Sequence, residues 1–433
     1  MSEPQPSPTV RIAQDLIRID TQNYGEGRAV GEHVAAEYVS AFLTGIGLTP
    51  TTFESAPGRT TVIAEVAGQD PTLPKLVVHG HLDVVPADAS EWSVDPFGGV
   101  IQDGLLWGRG AVDMKNMVAM ILQSVADILS SGRLPGRPLV LAFFADEEAG
   151  GELGSEFMVK QHPEVFAGAT EAISEVGGYS VEINGQRAYL LQTAEKAMQW
   201  IRLTAKGTAA HGSQVMEDNA VTKLTRAVTA IGDHPFEIHL TETTTALLQG
   251  LAEIQGIQWR PELADEIASS AGSAARFLRA SLRTTANPTM LDAGYKHNVI
   301  PSTATARIDV RPLPGHEDAA LETIRSLAGD DIEVEVMVGD VGMEQPNEGE
   351  LVDSMVQSLL KHDPEARVLP YMLSGGTDNK ALSRLGIRGY GFAPLKLPAD
   401  LDFAAMFHGV DERVSLEAID FGTTVLTDLL LKG

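Results

Sequence analysis

The stretch that most limits what this chain can become is Leu76-Val77-Val78-His79-Gly80-His81-Leu82-Asp83, where an unbroken apolar run gives way to imidazoles and a carboxylate. Pro74 in front and Pro86 behind bound it as a short strand rather than a helix segment. A strand without polar alternation is covered on both faces, which points to the parallel sheet of an α/β domain. In such sheets ligands gather beyond the carboxyl ends of the strands, so His81 and Asp83 stand where a site is expected. Alternation puts His79, His81 and Asp83 on one side if the strand stays extended, although Gly80 can bend it. Taken alone, the ordinary reading of such a histidine is a hydrogen-bonded strand end.

The pattern recurs. From Pro138 to Ala145 the chain reads Leu-Val-Leu-Ala-Phe-Phe-Ala and then turns to Asp146-Glu147-Glu148. A charge run is usually a solvated face, but a strand this rich in Leu and Phe is not a surface element. Three consecutive carboxylates at its end repel one another unless a cation lies between them. Glu171-Ala-Ile-Ser-Glu175 is a third short apolar run ending in an acid. Asp113 follows Gly108-Arg-Gly-Ala-Val112 at the mouth of a helix expected from Asn116 to Leu129, where a helix N-cap is the competing role. His408 sits in Met406-Phe407-His408-Gly409, ahead of a last helix from about Ser415 to Leu431. The chain has no cysteine, so disulfides, thiolate metal sites and cysteine nucleophiles are excluded, and any metal centre is built from nitrogen and oxygen.

At 433 residues the chain exceeds the roughly 250 to 300 at which one core stops growing, so two domains are expected. Their boundary shows as a change of texture. Helices over about 8–21 and 31–44 and a strand over 60–66 precede the site strand, and a hairpin around Asp103-Gly104 follows it. From about Glu195 alternating strands take over, Trp200-Ile-Arg-Leu-Thr, then 304–310 and 332–338, with helices over 219–231 and 316–328. Ala209-Ala-His211-Gly-Ser forms a turn among them. After about Gln345 the α/β texture returns, with a helix over 350–361 and a strand over 389–392. The expected organisation is thus residues 1–194 and 342–433 as one α/β domain with a mostly parallel sheet flanked by helices, and 195–341 as an inserted α+β module that includes a mostly helical insert at 235–297.

Acidic side chains outnumber basic ones 59 to 32, a net charge of −27, which disfavours nucleic acid as a partner. A solubilising surface is the plain cause of that excess. No apolar run approaches the ~18 residues of a membrane span. Met1 to Pro8 is polar and proline-rich, without the basic start and apolar core of a secretory signal, so a cytoplasmic protein is expected.

His81, Asp113, Glu148, Glu175 and His408 all fall at element ends on one prospective rim. Two imidazoles and three carboxylates can hold two divalent ions about 3.5 to 4 Å apart if one carboxylate bridges. Such ligation suits a zinc pair, with cobalt or manganese also compatible. The blocks His79-Gly-His-Leu-Asp-Val-Val-Pro86, Gly108-Arg-Gly-Ala-Val-Asp-Met-Lys115 and Phe144-Ala-Asp-Glu-Glu148 resemble those of the co-catalytic zinc peptidases of aminoacylase, carboxypeptidase G, acetylornithine deacetylase and succinyl-diaminopimelate desuccinylase.

That resemblance implies roles residue by residue. Asp113 would bridge, His81 and Glu175 would complete one zinc, and Glu148 and His408 the other. Glu147 would be the general base on a metal-bridging water, and Asp83 would orient the His81 imidazole. The inserted module would be a lid and homodimerisation domain, its His211 crossing to the partner's site to stabilise the oxyanion, although an exposed turn histidine is the plain alternative. Asn298 and Arg311 would grip a substrate carboxylate, for which a guanidinium fork is apt, and Gly376 would lend backbone contacts. A cis peptide after Asp113 is also implied. The surroundings of Glu175 match the pattern only loosely, and the insert is longer than in the compact desuccinylases.

The function expected is hydrolysis of an amide or peptide bond next to a free carboxylate, as by a carboxypeptidase, dipeptidase or N-acyl amino acid deacylase. A carbamoyl or ureido amidohydrolase on the same scaffold is the alternative within enzymes. A non-catalytic metal-binding relative is the alternative outside them, and the presence of Glu147 argues against it. A two-metal phosphoesterase would need a phosphate-binding loop that the sequence does not show.

Overall fold

Four strands, Arg388–Gly391, Ala169–Ser174, Lys75–His81 and Leu139–Phe144, lie side by side in that order and run parallel. Leu139–Phe144 is buried throughout, and so is Lys75–His81 after its first residue, as expected of strands covered on both faces. Alternation divides the cover. Leu76, Val78, Leu139, Leu141 and Phe143 pack with the helices Pro8–Ile17, Lys115–Ser130 and Leu416–Leu430, while Val77, Val140, Ala142 and Phe144 pack with Ser155–Gln161 and Asn379–Ser383. This computed structural model describes residues 6–432, so Met1 to Gln5, most of the stretch read above for a leader, lie outside the described residues.

The parallel core is extended at both sides into a mixed sheet of ten strands. Arg59–Val66 and then Thr51–Ala56 add antiparallel beyond Leu139–Phe144. On the other side the hairpin Tyr179–Ile183 and Gln186–Glu195 is joined in parallel by Arg367–Leu373. That last strand carries Pro370, which hides it from a sequence reading because proline breaks a ladder.

A separate antiparallel sheet has the order Thr285–Ala293, Thr303–Arg311, Gln199–Lys206, Ile332–Gly339. One face is covered by the helices Ala220–Gly232 and Glu317–Ala328, and the other is open, which is why Gln199–Lys206 alternates in burial along its whole length. The expected insert at 235–297 does not stay with this sheet. Its helix Glu242–Gln255 places Leu247, Leu248 and Leu251 in the core of the large sheet, beside Leu369. Its last part, Thr285–Ala293, is not helical but an edge strand of the small sheet. The apolar stripe of that helix needed a partner, and the buried side of Arg367–Leu373 supplies it. Among the described residues no helix is long and apolar enough to cross a membrane.

Candidate metal centre

Neighbouring strands of a sheet lie about 4.8 Å apart, so residues at the same end of adjacent parallel strands meet without any special loop. Here the three acid-bearing strand ends are adjacent. His81 closes the central strand, Glu175 directly follows Ala169–Ser174 on one side, and Glu147 and Glu148 follow Leu139–Phe144 on the other. Asp113 arrives from the loop before Lys115–Ser130, and His408 from the loop before Leu416–Leu430. The N-cap role weighed for Asp113 is not used, since Met114 occupies the cap and no side chain caps the helix. The Asp113–Met114 peptide is cis, as the resemblance implied. Gly80 leaves room for Met114, since a Cβ there would lie 2.6 Å from its methyl and would push aside the side chain whose sulfur accepts the His81 N–H at 3.2 Å.

Two groups of ligand atoms result, His81 with Asp113 and Glu175, and Asp113 with Glu148 and His408, each gathered within 4.8 Å. His81 Nε2 lies 3.0 Å from Asp113 and 3.5 Å from Glu175. His408 Nε2 lies 3.4 Å from Asp113 and 3.1 Å from Glu148. Asp113 belongs to both groups, the position of a bridge. Glu147 reaches to 3.9 Å from His81 yet belongs to neither.

The electrostatics ask for a cation. Burial, with the Asp113 charge added, pushes Glu175 up to about 8, and burial holds Glu147 well above the carboxylate range. Glu148 is raised by burial and by Asp113. Hydrogen bonds to Asp113 and Glu148 lift His408 to about 10. Burial works against a charge on His81, but Glu175 and the bonds to Asp113 and Asp83 outweigh it and raise it well above its usual value. Asp113 is held low by its bonds to His408 and His81, but Glu147, Glu148 and Glu175 share too few positive charges at a buried rim and tend to hold protons that a divalent ion would displace. The donor set of imidazole nitrogens and carboxylate oxygens fits zinc, cobalt or manganese.

The groups behind the ligands were only partly foreseen. Asp83 does not orient His81 mainly through its carboxylate. The His81 Nδ1 donates to the Asp83 backbone carbonyl at 2.9 Å, with the carboxylate farther off at 3.6 Å. A carbonyl can only accept, so Nδ1 carries a proton and Nε2 is the nitrogen turned to Asp113 and Glu175, where it donates while the ring is charged and would be the ligand atom once a cation replaced its proton. The Asp83 carboxylate instead accepts the N–H groups of Glu147 and Glu148 at 3.1 and 3.2 Å, which sets the turn carrying both acids. Asn23 ties Asp83 to Asp146, and Arg59 joins Asp146 to Glu32.

Glu412, fully buried, accepts from the N–H groups of Val112 and Asp113 and from Arg109, locking the bridging position to the loop of His408. The one signal available for Glu412 was its spacing four residues beyond His408. Asn23 and Glu32 carried none. His79 stays outside the cluster. It keeps to the face of Val77, bonds Asn379 at 2.8 Å and is held down to about 4, neutral, by burial.

The small sheet's residues are not joined to this cluster by any bond among the described residues. His211 turns back on Ser213, Arg311 forks onto Asp309 at 2.7 and 3.2 Å, and the Asn298 carbonyl accepts the Gly212 N–H. Gly376 lies in the loop before Thr377 and Asp378, and the Asp378 charge bears on Glu147.

Residues 77–432 match the profile of peptidase family M20/M25/M40. The chain belongs to that family. It is a hydrolase of the family's metallopeptidase and aminoacylase kind. Aminoacylase-1 of Homo sapiens is 28% identical over 434 residues, covering 98% of this chain and 94% of that one. The N-fatty-acyl-amino acid synthase/hydrolase PM20D1 of Xenopus tropicalis is 28% identical over 446 residues, covering 97% and 85%. Among solved structures, the M20 family metallo-carboxypeptidase Sso-CP2 from Sulfolobus solfataricus shares the fold with a TM-score of 0.76 at 17% identity, covering 98% of this chain and 99% of that one.

Proposed function

We propose that this family member hydrolyses an amide bond next to a free carboxylate, in an N-acyl amino acid or a small peptide, with Glu147 as general base. The observation that carries the reading is the position of Glu147, 3.9 Å from His81, next in the chain to Glu148, and a member of neither ligand group. The resemblance to an aminoacylase over nearly the whole chain supports the substrate class.

The five ligands would hold two divalent ions, zinc being the best match to the donors. When bound, such a pair supplies Lewis acidity toward the scissile carbonyl and brings the pKa of a water toward about 7. Glu147, kept protonatable by burial, takes the proton of the attacking water and passes it to the departing amine. Asp83 holds the peptide groups of Glu147 and Glu148 so that base and ligand stay apart. Arg311 and Asn298 receive the substrate's carboxylate, and His211, from a second copy of the chain, steadies the oxyanion.

Two features support that second copy. The small sheet ends in Ile332–Gly339, an edge paired on one side only, with Val336, Met337 and Val338 each more than a third exposed. Val215 and Tyr295, in the loops that flank the His211 ribbon, are 98% and 83% exposed.

The test is a hydrolysis screen of N-acyl amino acids against dipeptides, run on metal-stripped and on zinc- or cobalt-reloaded protein. Activity is expected to vanish on stripping and return on reloading. Full activity after confirmed metal removal would overturn the mechanism.

A further inference from the structure

The joint between the two sheets is built from buried charge. The chain passes between them at 195–199, 232–242, 282–285 and 339–343, and two lysines outside the proposed mechanism stand among those passages. Lys196 is fully buried. Its ammonium donates to the Ala280 and Arg283 carbonyls at 3.0 and 2.8 Å and to the Thr285 hydroxyl at 3.2 Å, all around the third passage. Its own carbonyl, in the first passage, accepts the Lys380 ammonium at 2.8 Å, and that ammonium also pairs with Asp340 of the last passage at 3.3 Å. The Asp340 N–H donates to the Met198 carbonyl at 2.8 Å, and the Ala197 N–H to that of Pro312 at 2.9 Å. Ala194, Leu313 and Met372, each at most 1% exposed, form a small apolar core of their own at the same point.

The joint also holds parts of the candidate site. Glu195, directly before Lys196 and fully buried, accepts the Thr377 N–H at 3.1 Å and its hydroxyl at 2.6 Å. That fastens the loop of Gly376, which lies so close to Lys380 that a Cβ would stand 2.9 Å from the ammonium. On the other side, Arg311 and Asp309 are near enough for their charges to act on Lys196. Burial, and then Arg311, bring Lys196 down to about 7, and Asp309 opposes them. A joint made to swing needs only a few residues that absorb rotation about φ and ψ. Here a swing would strip a buried ammonium of its acceptors and leave carbonyls unpaired in the interior, where polar groups are almost always bonded.

We propose that Lys196 and Lys380 are positioning residues that lock the small sheet at one angle to the large one, and with it the Arg311 end of that sheet relative to the loop of Gly376. The part of this that concerns turnover rests on the hydrolysis reading above. The part that concerns geometry does not. Neither lysine touches the substrate; each acts by where it holds the groups that do.

The chain has no cysteine, so cysteines placed at Glu37 and Arg226, exposed residues on helices of the large and small units, would carry the only spin labels. Distances between them are measured by pulsed electron paramagnetic resonance on zinc-loaded protein diluted with unlabelled chains, for the parent, Lys196→Met, Lys380→Met and Asp340→Ala. Metal content, melting temperature, kcat and KM are measured beside them. The parent should show one narrow distance. Lys196→Met and Lys380→Met should broaden it with both metals retained, and should lower kcat/KM by about 10²-fold, the loss that a misplacement of about 1 Å brings. KM should rise in both, because a merely less stable enzyme loses active fraction, and hence kcat, without a change in KM. Asp340→Ala, at a partly exposed position that leaves the fold intact, should show the same broadening to a smaller degree. A broad or double distribution in the parent would overturn the proposal. So would variants whose melting temperature falls while distance and KM stay as they were. Absence of turnover in the parent with both metals bound would remove the hydrolysis reading alone, since the distances still decide whether the joint is locked.

Discussion

On the rim of the large sheet Arg59 is 5% exposed and holds Glu32 at 2.8 Å and Asp146 at 2.7 Å, whereas on the small sheet Arg202 lies across Glu335 with side chains 37% and 50% exposed. The chemistry of the two pairs is alike, but their surroundings are not. Beside Arg59, Asp146 also accepts from Asn23 and from the Leu153 N–H, and through Asn23 the tie reaches Asp83 and the turn of Glu147 and Glu148. Around Arg202 nothing depends on the pair. The large unit assembles its charges before any ligand arrives, while the small unit leaves His211, Asn298 and Arg311 engaged only with local partners. Under the function proposed above, the first region would be the preformed part of the site and the second the part that completes it.

The sharpest challenge to the contrast is subunit mixing. His211→Ala alone is expected to lower turnover by about 10²- to 10³-fold, the loss typical of one oxyanion donor, and Glu147→Gln by about 10²- to 10⁴-fold. Mixed and allowed to exchange, the two inactive proteins should regain activity, since one site of the heterodimer has both groups intact. No recovery after proven exchange would confine each site to one chain.

Next in size is the buried ion pair. Arg59→Met should cost about 3 to 5 kcal/mol in denaturant melts, because it strands Glu32 and Asp146 in the interior. A cost below about 1 kcal/mol would mean that the network is wetter than its burial indicates.

The metal-free protein should also respond to pH in a defined direction. Glu175 is raised from 4.5 to about 8, so the fold binds its proton more tightly than the unfolded chain does. Stability from this group is full below about 4.5 and is lost as the pH climbs through about 8. His408, raised from 6.5 to about 10, has the same sign over a higher window, and Asp113, lowered, acts oppositely only in acid. The melting temperature of stripped protein should therefore fall by several degrees from pH 5 to pH 8, roughly, and that of zinc-loaded protein much less. A stripped protein that gains stability over this range would contradict the cluster's charge balance. The smallest effect belongs to the exposed pair, where Arg202→Met should cost less than about 1 kcal/mol and vanish in high salt.

The same contrast explains what was legible in the sequence. Buried strands announce themselves by unbroken apolar runs, and acids at their ends have no bland explanation, so His81, Glu148 and Glu175 could be placed on one rim. Residues acting through a single bond from a loop or helix start, such as Asn23 and Glu32, leave no pattern. The Asp83 role was half visible, since proximity to His81 was evident but not that its carboxylate serves the Glu147 turn. The helix Glu242–Gln255 was recognisable as amphipathic, but an apolar stripe does not say which sheet it covers, and here it covers the large one. Proline hid the strand Arg367–Leu373.

Metal content and turnover, measured together on Glu147→Gln and Asp113→Ala, test the central claim most directly. About two divalent ions per chain should remain in Glu147→Gln while turnover collapses, and both metal and turnover should be lost in Asp113→Ala. Equal loss of metal in the two variants would contradict the account, because Glu147 would then be a ligand and not the base.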